Sequence, residues 1–471
     1  MSKDKKFKLL LINPVQRQRL GLRMRIATTY PPIALGIVAA LTPEHWDVKL
    51  IDENFDEFVF EEADLVAFTS FTVSAPRVYE IAAIYRQHNI KTVYGGVHAT
   101  VCTDEAINYV DVVVRGEAES VWAKVLSDFE NNDLKQIYEG ERCDPVKIPM
   151  PRYDLYNKKY LFHGVTASRG CPMNCDFCSV SVFSGTKQRF RDIDDILDEI
   201  EILPTKFFVF LDDNIIGYSQ KGKERAIEIF KGMVKRGIKK YWIAQASLHV
   251  ADEPEVLKWA AKSGCKILFI GIEAEVSSGL KDVHKNLNLK IGVENYKKSF
   301  KKIHKYGIGV LGAFIFGLDS DTPKMLYDRG NFIKKSSVDT YQTTILTPLP
   351  GTPLYKKFKE ERRLIKTNYP DDWDYYDMRE HVFKLNKMRS DEFIDVMYDV
   401  WHKIYNRRAA RWKFIRTLFN TRNLLTAIWT YGSIYNYYTF SFEEEILAKN
   451  PKYYKWLKKY TKRKSTKKQS S

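Results

Sequence analysis

Short apolar runs alternate with amphipathic stretches through the first 140 positions of the chain. The apolar runs predict buried strands and the stretches between them predict helices. The predicted strands are 8–14 (KLLLINP), 47–52, 63–71, 91–96 and 111–117, and the predicted helices are 31–44, 75–88 and 118–132. This alternation over residues 1–140 is typical of a Rossmann-like, doubly wound parallel sheet, which binds ligands at the carboxyl ends of its strands.

A second series of strands and helices follows a proline-bearing linker at 141–160. Its predicted strands are 164–169, 207–213, 241–247, 266–273, 310–317 and 340–350, with helical stretches between them such as 192–203 and 253–264. Six such units predict a partial (β/α)6 barrel over 161–356, again with its site at the strand carboxyl ends. The fold class is therefore α/β. Beyond the barrel we predict a helical extension over 357–450 and a basic tail over 451–471.

Composition narrows the class of protein. The 471 residues are 44% hydrophobic, and no apolar run reaches the roughly 18 residues that span a bilayer. Six cysteines, three of them clustered, do not suit a disulfide framework, and the charged start predicts no secretory signal, so we expect a reducing, cytoplasmic setting. The net charge of +16 leaves four interpretations: nucleic acid, a phospholipid surface, a phosphorylated substrate, or a solvated tail.

Half of the cysteines lie in the stretch SRGCPMNCDFCSV, residues 168–180. Cys171, Cys175 and Cys178 follow a predicted strand with the spacing C-x3-C-x2-C. Zinc usually takes paired C-x2-C units and four ligands, and a disulfide accounts for two cysteines only. Four-iron clusters normally take four thiolates, so three cysteines leave one iron open to a ligand from outside the protein. The pattern favours an iron–sulfur cluster, with zinc or coincidence as the alternatives.

This motif, placed after the first strand of a β/α barrel, resembles the hallmark of radical S-adenosylmethionine (SAM) enzymes over about 160–355. The resemblance implies a [4Fe–4S] cluster on the three cysteines, whose open iron binds SAM and whose electron cleaves it to methionine and a 5′-deoxyadenosyl radical. It also implies SAM contacts, which are Phe177, Asp212, Asp213, Asn214, Gln245, Ser247, Glu273 and Phe316. Each has a plainer interpretation, because strand-end polar residues often cap helices and aromatic residues often only pack.

The N-terminal domain and linker resemble those of cobalamin-binding radical SAM enzymes. The matching stretches include DLVAFTSFTVSAPRVYEIA, YGGVHAT and VVVRGEAESVW. The resemblance implies cobalamin contacts, which are Ser70, Thr72, Gly95, Gly96, Val97, Gly116 and Glu117. The D-x-H-x-x-G segment that supplies a histidine to cobalt is absent, as in many members of this branch, and His98 is predicted to be a loop or helix-start residue. The alternative is a domain that only packs on the barrel or holds substrate.

The two resemblances together imply methylation of an unactivated carbon, with methylcobalamin as the methyl donor. The branch resembled includes hopanoid and other lipid methylases, so the expected substrate is a lipid or natural product and the expected electron donor is a flavodoxin or ferredoxin. A radical cyclase or rearrangement enzyme is the first alternative and an RNA-modifying enzyme the second. Nucleic acid is disfavoured, because the chain lacks both the extra cysteine cluster of methylthiotransferases and a small RNA-binding β-barrel.

Apolar and aromatic residues recur at helical spacing within 396–420, beside basic residues. The stripe consists of Met397, Trp401, Ile404, Tyr405 and Arg408. Such stripes are usually core, but a basic, aromatic helix can also lie at a membrane interface. We therefore expect a helical core, with peripheral contact on the inner face of the membrane as the functional alternative.

Overall fold

The computed structural model describes residues 6–17, 30–173 and 175–441, and its N-terminal part is a six-stranded parallel sheet. The strands are β1 (Phe7–Asn13), β2 (Trp46–Asp52), β3 (Leu65–Thr69), β4 (Lys91–Gly95), β5 (Val112–Gly116) and β6 (Ile137–Gly140), in the order β2-β1-β3-β4-β5-β6. The helices are α1 (Ile33–Ala40), α2 (Ala75–Gln87), α3 (Val97–Val101), α4 (Thr103–Ala106) and α5 (Trp122–Glu130). Residues 9–12 are fully buried, because helices cover both faces of the sheet.

The second part of the chain is a six-stranded parallel sheet with its own helices. Its strands are β7 (Phe162–Val165), β10 (Phe207–Phe210), β11 (Tyr241–Ala246), β12 (Cys265–Glu273), β13 (Gly309–Phe316) and β14 (Thr340–Ile345). Two short strands, β8 (Ser168–Arg169) and β9 (Arg189–Phe190), lie outside this sheet. The helices are α6 (Val180–Phe183), α7 (Ile193–Ile202), α8 (Gln220–Lys235), α9 (Pro254–Lys262), α10 (Ser277–Asp282), α11 (Asn286–Ile291), α12 (Tyr296–His304) and α13 (Pro323–Lys335). The sheet order is β14-β13-β12-β11-β10-β7, so the barrel stays open between β7 and β14.

The first predicted barrel strand, 164–169, is wrong in its bounds. Strand β7 ends at Val165, and β8 pairs antiparallel with β9 as a separate two-stranded ribbon. The break has a local cause, because the Asp212 carboxylate accepts hydrogen bonds from the Ala167 amide at 2.9 Å and from the Ser168 hydroxyl at 2.6 Å. These bonds turn the chain away from the sheet before it reaches the first cysteine.

Four helices complete the described chain. They are α14 (Pro353–Glu360), α15 (Ser390–Ile404), α16 (Arg407–Thr421) and α17 (Leu424–Ser441). Helix α17 covers the amino end of the barrel, where Trp429 packs against Phe162 and the Ser433 hydroxyl accepts a hydrogen bond from Thr340 at 2.9 Å. Among the described residues, no helix combines the length and the apolarity that a membrane crossing requires.

The predicted C-terminal stripe divides between core and surface. Its members Met397, Ile404 and Tyr405 are buried against the barrel, which confirms the core interpretation for them. Trp401 is half-buried and donates its indole N–H to Thr343, whereas Arg408 is exposed. The predicted tail at 451–471 lies outside the described residues, as does 442–450.

A C-terminal segment, residues 369–376, returns to the N-terminal sheet. The Trp373 ring stacks on Tyr369, with ring centroids 3.7 Å apart, and its indole N–H donates to both carboxylate oxygens of Glu105 at 3.0 Å. The Arg17 guanidinium donates to Asp374 at 2.7 Å. The N-terminal sheet is therefore held by contacts from both the barrel and the C-terminal extension.

Candidate cofactor sites

The loop between β8 and α6 carries the three clustered cysteines. Its start is fixed by a hydrogen bond from the Cys171 amide to the Gly185 carbonyl at 3.1 Å, and its end by one from the Cys178 amide to the Cys175 carbonyl at 3.1 Å. Gly170 has a φ of 93°, and a side chain there would lie 2.4 Å from the Lys187 carbonyl oxygen, so the tight turn before the first cysteine requires glycine.

The three thiols suit a cluster better than a single metal ion. All three are free of disulfides, and each lies close enough to another to influence its pKa. Within the described part of the chain, only Glu117, Glu119 and Cys143 bring three ligand atoms within 4.8 Å of one another, so at least one pair of the three loop sulfurs is farther apart than that. A four-iron cluster binds each thiolate on a different iron, whereas zinc gathers its ligands on one ion.

Burial raises the pKa of all three thiols, that of Cys178 to about 11. At neutral pH the metal-free loop therefore holds thiols, and the metal must supply the energy of deprotonation. The positive charge of Lys285 lowers the pKa of Cys171 and Cys175 and so opposes the effect of burial.

The three polar residues after β10 have different surroundings. Asp212 is fully buried and, through its bonds to Ala167 and Ser168, fixes the backbone rather than facing the interior of the barrel. Asp213 is partly buried near Cys171, and burial, followed by the charge of Asp212, raises its pKa to about 6. The Asn214 amide donates to the Ser247 hydroxyl at 3.3 Å. The Asp212 carboxylate is thus engaged by the chain itself, while that of Asp213 is not held by such bonds, and the SAM contacts of both residues stay predictions.

Tyr218 connects this group to the cysteine loop and was not predicted. Its hydroxyl shares a 2.7 Å hydrogen bond with Ser247 and also hydrogen-bonds Cys171. The only sequence signal is a tyrosine a few residues after a polar strand end, which is too common to single out. Gln245 is exposed at the end of β11 between two buried alanines, so strand alternation turns it to the open interior of the barrel.

A buried ion pair lies at the end of β12. The Lys285 ammonium donates to the Glu273 carboxylate at 2.7 Å, and the Glu273 backbone has a φ of 62°, which few non-glycine residues adopt. Burial alone would lower the pKa of Lys285, but Glu273 and then Cys175 reverse this and raise it. A side chain at Gly271 would lie 2.3 Å from the carboxylate oxygen of Glu273 and 2.8 Å from the Lys285 nitrogen. Sequence reasoning found Glu273 but missed Lys285, which lies in no motif.

The two predicted aromatic contacts are both packed. Phe177 is partly buried against the apolar cluster that contains Leu280, Ile315 and Leu346. Phe316 is fully buried, and the Arg329 guanidinium lies 5.3 Å from its ring centre. The contact of Phe316 with SAM stays a prediction.

The predicted cobalamin residues cluster at the carboxyl ends of β3, β4 and β5. Gly96 and Gly116 have φ values of 96° and 90°, and side chains there would lie 2.4 Å from the Thr69 hydroxyl and 2.1 Å from the Gly140 carbonyl oxygen. Both glycines are thus required by the protein's own backbone. Gly95 is different, because a side chain there would meet nothing closer than 3.7 Å.

Other residues at this edge are partly engaged. The hydroxyls of Ser70 and Tyr94 share a 2.5 Å hydrogen bond, Thr72 is buried, and Val97 begins α3. Phe71, by contrast, is a large aromatic side chain that is 70% exposed at the end of β3. An exposed aromatic beside an open glycine leaves room for a flat apolar ligand at this edge.

His98 lies in α3, as predicted, and is fully buried. Its Nε2 lies 3.1 Å from the Tyr79 hydroxyl and 3.2 Å from the Glu105 carboxylate, and its Nδ1 lies 3.3 Å from the Thr72 hydroxyl. Both ring nitrogens are therefore engaged within the N-terminal domain, and His98 is not placed to bind cobalt.

Glu117 faces the barrel rather than the open edge of its own sheet. Its carboxylate accepts from both Arg189 Nη atoms, at 2.5 and 2.9 Å, and from the Cys143 amide at 2.8 Å. Arg169, two residues before Cys171, pairs with Glu119 at 2.5 Å and lies 3.4 Å from Glu117. Burial raises the pKa of Glu117, but Arg189, Cys143 and Arg169 more than offset this and lower it. We call these five residues the interdomain clamp.

The interdomain clamp determines how the two sheets meet. It ties the loop after β5 to the flanks of the cysteine loop. A second contact lies nearby, because a side chain at Gly351 would be 2.8 Å from Val101 of α3 and 3.4 Å from Val182 of α6. The carboxyl ends of the two sheets therefore face each other, with the cysteine loop on one side and the edge formed by β3, β4 and β5 on the other.

A partial barrel with a three-cysteine loop that faces a parallel sheet of this kind defines a two-cofactor radical enzyme. Comparisons agree: residues 165–333 match the Radical SAM superfamily and residues 20–126 match the B12 binding domain. The bacteriochlorophyllide d C-12(1)-methyltransferase of Chlorobaculum tepidum is 30% identical over 85% of this chain and 88% of its own length. The hopanoid C-2 methylase of Rhodopseudomonas palustris is 28% identical over 72% and 66%.

The chain belongs to the family of cobalamin-dependent radical SAM methyltransferases. Its cofactors are a [4Fe–4S] cluster, SAM and cobalamin. The solved structure of the cobalamin-dependent SAM radical enzyme OxsB shares the fold, with a TM-score of 0.67, 14% identity, and coverage of 90% of this chain and 72% of that one.

Proposed function

We propose that this enzyme methylates an unactivated carbon of a largely apolar small molecule, a lipid or a polycyclic natural product. The observation that carries the proposal is the interdomain clamp, which holds the cysteine loop opposite the edge formed by β3, β4 and β5. When bound, the cluster and SAM supply a radical that abstracts hydrogen, and cobalamin supplies the methyl group. The cleft between the two sheets is the place where one substrate could meet both cofactors.

We assign the cluster to Cys171, Cys175 and Cys178, and the amino acid end of SAM to the group around Lys285. That end of SAM carries an ammonium and a carboxylate, and the ion pair of Lys285 and Glu273 offers both opposite charges beside Cys175. Asp213 adds a carboxylate near Cys171. Tyr218, Asn214 and Ser247 form a hydroxyl and amide group suited to neutral polar atoms of the ligand.

For cobalamin we propose the edge that contains Ser70, Phe71, Gly95 and Gly96, within an N-terminal domain that spans 1–140. The open space at Gly95 and the exposed ring of Phe71 support this assignment. Glu117 and Thr72, also predicted as contacts, take part in the interdomain clamp and in the contacts of His98, respectively.

Substrate class follows from the relatives and the cleft. By their names, the two relatives cited above methylate bacteriochlorophyllide d and a hopanoid. We further propose that the protein is cytoplasmic, receives its electron from a flavodoxin or ferredoxin, and makes peripheral contact with the inner face of a membrane.

The first test is the metal content of anaerobically purified protein, reconstituted with iron, sulfide and hydroxocobalamin. We expect about four irons per chain and one cobalt. Cys171→Ala should lose the iron and keep the cobalt. Cys102→Ala, which removes a partly buried cysteine outside the loop, is the matched control and should keep both. Four irons without cobalt would refute the methyl transfer from cobalamin.

The second test is turnover of SAM labelled in its methyl group. Bacteriochlorophyllide, a hopanoid and a total lipid extract would be offered separately, with reduced flavodoxin. Transfer of label to a carbon of an apolar product supports the proposal. Formation of 5′-deoxyadenosine with loss of substrate hydrogen but no transfer of label would indicate a cyclase or rearrangement enzyme instead.

A further inference from the structure

Helix α16 carries three of its five large apolar side chains on the outside, while Phe414 and Leu418 are half-buried. Trp412, Ile415 and Phe419 are three and four residues apart, so they share one face of the helix, and they are 56%, 45% and 78% exposed. The face turned to the barrel is small or polar and consists of Ala409, Ala410, Lys413, Thr417 and Thr421. A surface helix of a globular protein normally shows the opposite arrangement.

The start of α17 repeats this inversion. Leu424, Leu425 and Ile428 are exposed, whereas Thr426, Ala427 and Thr430 are buried. Residues 422 and 423 form the turn between the two helices, so the exposed groups of α16 and α17 lie at the same end of one helical hairpin. We call these six exposed apolar residues, from Trp412 to Ile428, the hairpin tip.

Buried polar atoms explain why the inward face can be polar. The Lys413 ammonium donates to three backbone carbonyls, those of Ile333, Ser336 and Val338, at 2.9, 3.0 and 2.6 Å. The Thr417 hydroxyl donates to Asp339 at 2.7 Å. Since hydrogen bonds fix the inner face, the large apolar residues are not needed there, and their exposure requires another reason.

The charged residues of the helical hairpin itself are all positive. Arg407, Arg408, Arg411 and Arg422 are exposed, and the sequence has no aspartate or glutamate between 407 and 441. A second copy of this face would bring arginines against arginines. Apolar and aromatic side chains ringed by arginines match an anionic leaflet, which offers acyl chains beneath negative headgroups.

We propose that the hairpin tip docks on an anionic phospholipid surface. Helix α17 runs across the amino end of the barrel, so docking would turn that end to the bilayer and leave the cysteine loop, at the carboxyl end, toward the aqueous phase. A soluble electron donor could then reach the cluster, and a lipid substrate would have to leave the bilayer to reach the cleft. The proposal gives a place to the membrane contact in the proposed function and rests on that part alone; it concerns binding, so its failure would leave the proposed reaction untouched.

The test is sedimentation of the full chain with phosphatidylcholine vesicles, with and without phosphatidylglycerol. We expect binding to the anionic vesicles that weakens with salt. Arg408→Gln/Arg411→Gln should weaken it about thirtyfold, because each basic residue near an anionic surface contributes about fivefold. Trp412→Gln/Phe419→Gln should weaken it at least about tenfold, through lost apolar insertion.

Matched controls lie away from the amino end of the barrel. Lys221→Gln/Lys281→Gln removes two exposed cations at the carboxyl end, and Val59→Gln removes an exposed apolar residue from the loop before β3. Both should bind like the unmodified protein. Vesicles with brominated acyl chains add a local readout: they should quench tryptophan fluorescence in the unmodified protein and in Trp259→Phe, but less in Trp412→Phe.

Three results would overturn the proposal. If both hairpin-tip variants bind vesicles as tightly as the unmodified protein, the contact belongs to another basic segment, such as 451–471. Loss of a dimer in Trp412→Gln/Phe419→Gln, with unchanged vesicle binding, would make the hairpin tip a surface for a second copy. Stronger competition by RNA than by anionic vesicles for the same arginines would make nucleic acid the partner.

Discussion

Replacing Glu117 by glutamine should uncouple SAM cleavage from methylation of the substrate. The change keeps the shape of the side chain but removes the charge that Arg189 and Arg169 face. Breaking a buried ion pair by removing one partner costs about 3–5 kcal/mol. Arg189 and Arg169 keep some contact with water, and Arg169 keeps Glu119, so we expect a cost of about 2–3 kcal/mol in the docking of the two sheets. This cost lowers the equilibrium ratio of molecules with docked sheets to molecules with undocked sheets about 30- to 160-fold.

The assay is the ratio of 5′-deoxyadenosine to methylated product. SAM cleavage depends on the barrel, so it should continue in Glu117→Gln, while methylation falls and the ratio rises. The matched control is Glu53→Gln, which breaks an equally buried pair with Arg77 next to β2, on the side of the N-terminal sheet away from β5 and the interdomain clamp. It should lower the unfolding temperature and leave the ratio unchanged. An unchanged ratio in Glu117→Gln would refute the positioning role of the interdomain clamp.

Three further predictions use other parts of the site. Lys285→Met should weaken SAM binding at least about tenfold and leave the iron content unchanged, whereas Lys281→Met, at an exposed lysine, should not weaken it. Equal affinities of the two variants for SAM in equilibrium dialysis would contradict the assignment of SAM to Lys285. Gly95→Ala should weaken hydroxocobalamin binding, followed by its absorbance, without lowering the unfolding temperature, while Gly116→Ala should lower the unfolding temperature because it meets a backbone oxygen. Folding lowers the pKa of Glu117, so the charged carboxylate stabilises the protein above the usual glutamate pKa near 4.5, and this stabilisation disappears as the pH falls below that value. The difference in unfolding free energy between apo Glu117→Gln and unmodified apoprotein should therefore shrink only in acid.

The alternation of strands and helices was readable from the sequence because buried parallel strands are apolar throughout, as in Leu9 to Ile12. The cysteine loop was readable because its chemistry depends on local spacing. The orientation of the polar run after β10 was not: Asp212 turns back to the backbone while Asp213 stays free, and the bonds to Ala167 and Ser168 that decide this lie some 45 residues upstream.

Contacts between distant residues account for the other misses. Lys285 is part of the site because it pairs with Glu273, and Tyr218 because it hydrogen-bonds Cys171. No local sequence pattern predicts either contact. Glu117 was placed at a ligand-binding edge because it follows a strand, yet its partner Arg189 lies 72 residues away. Helical spacing predicted the stripe at 396–420, but the choice of which face packs inward depends on the hydrogen bonds of Lys413, which sequence does not reveal.

The return of the C-terminal segment to the N-terminal sheet has a consequence for synthesis of the chain. Trp373 follows its partner Glu105 by 268 residues, so the N-terminal domain leaves the ribosome long before that contact can form. At typical elongation rates of about 5–20 residues per second, the interval is roughly 15–50 s. During that time the domain can fold while its ligand-binding edge is still uncovered. A bulky cofactor would have its freest access then, before the barrel and the last segment arrive to enclose it.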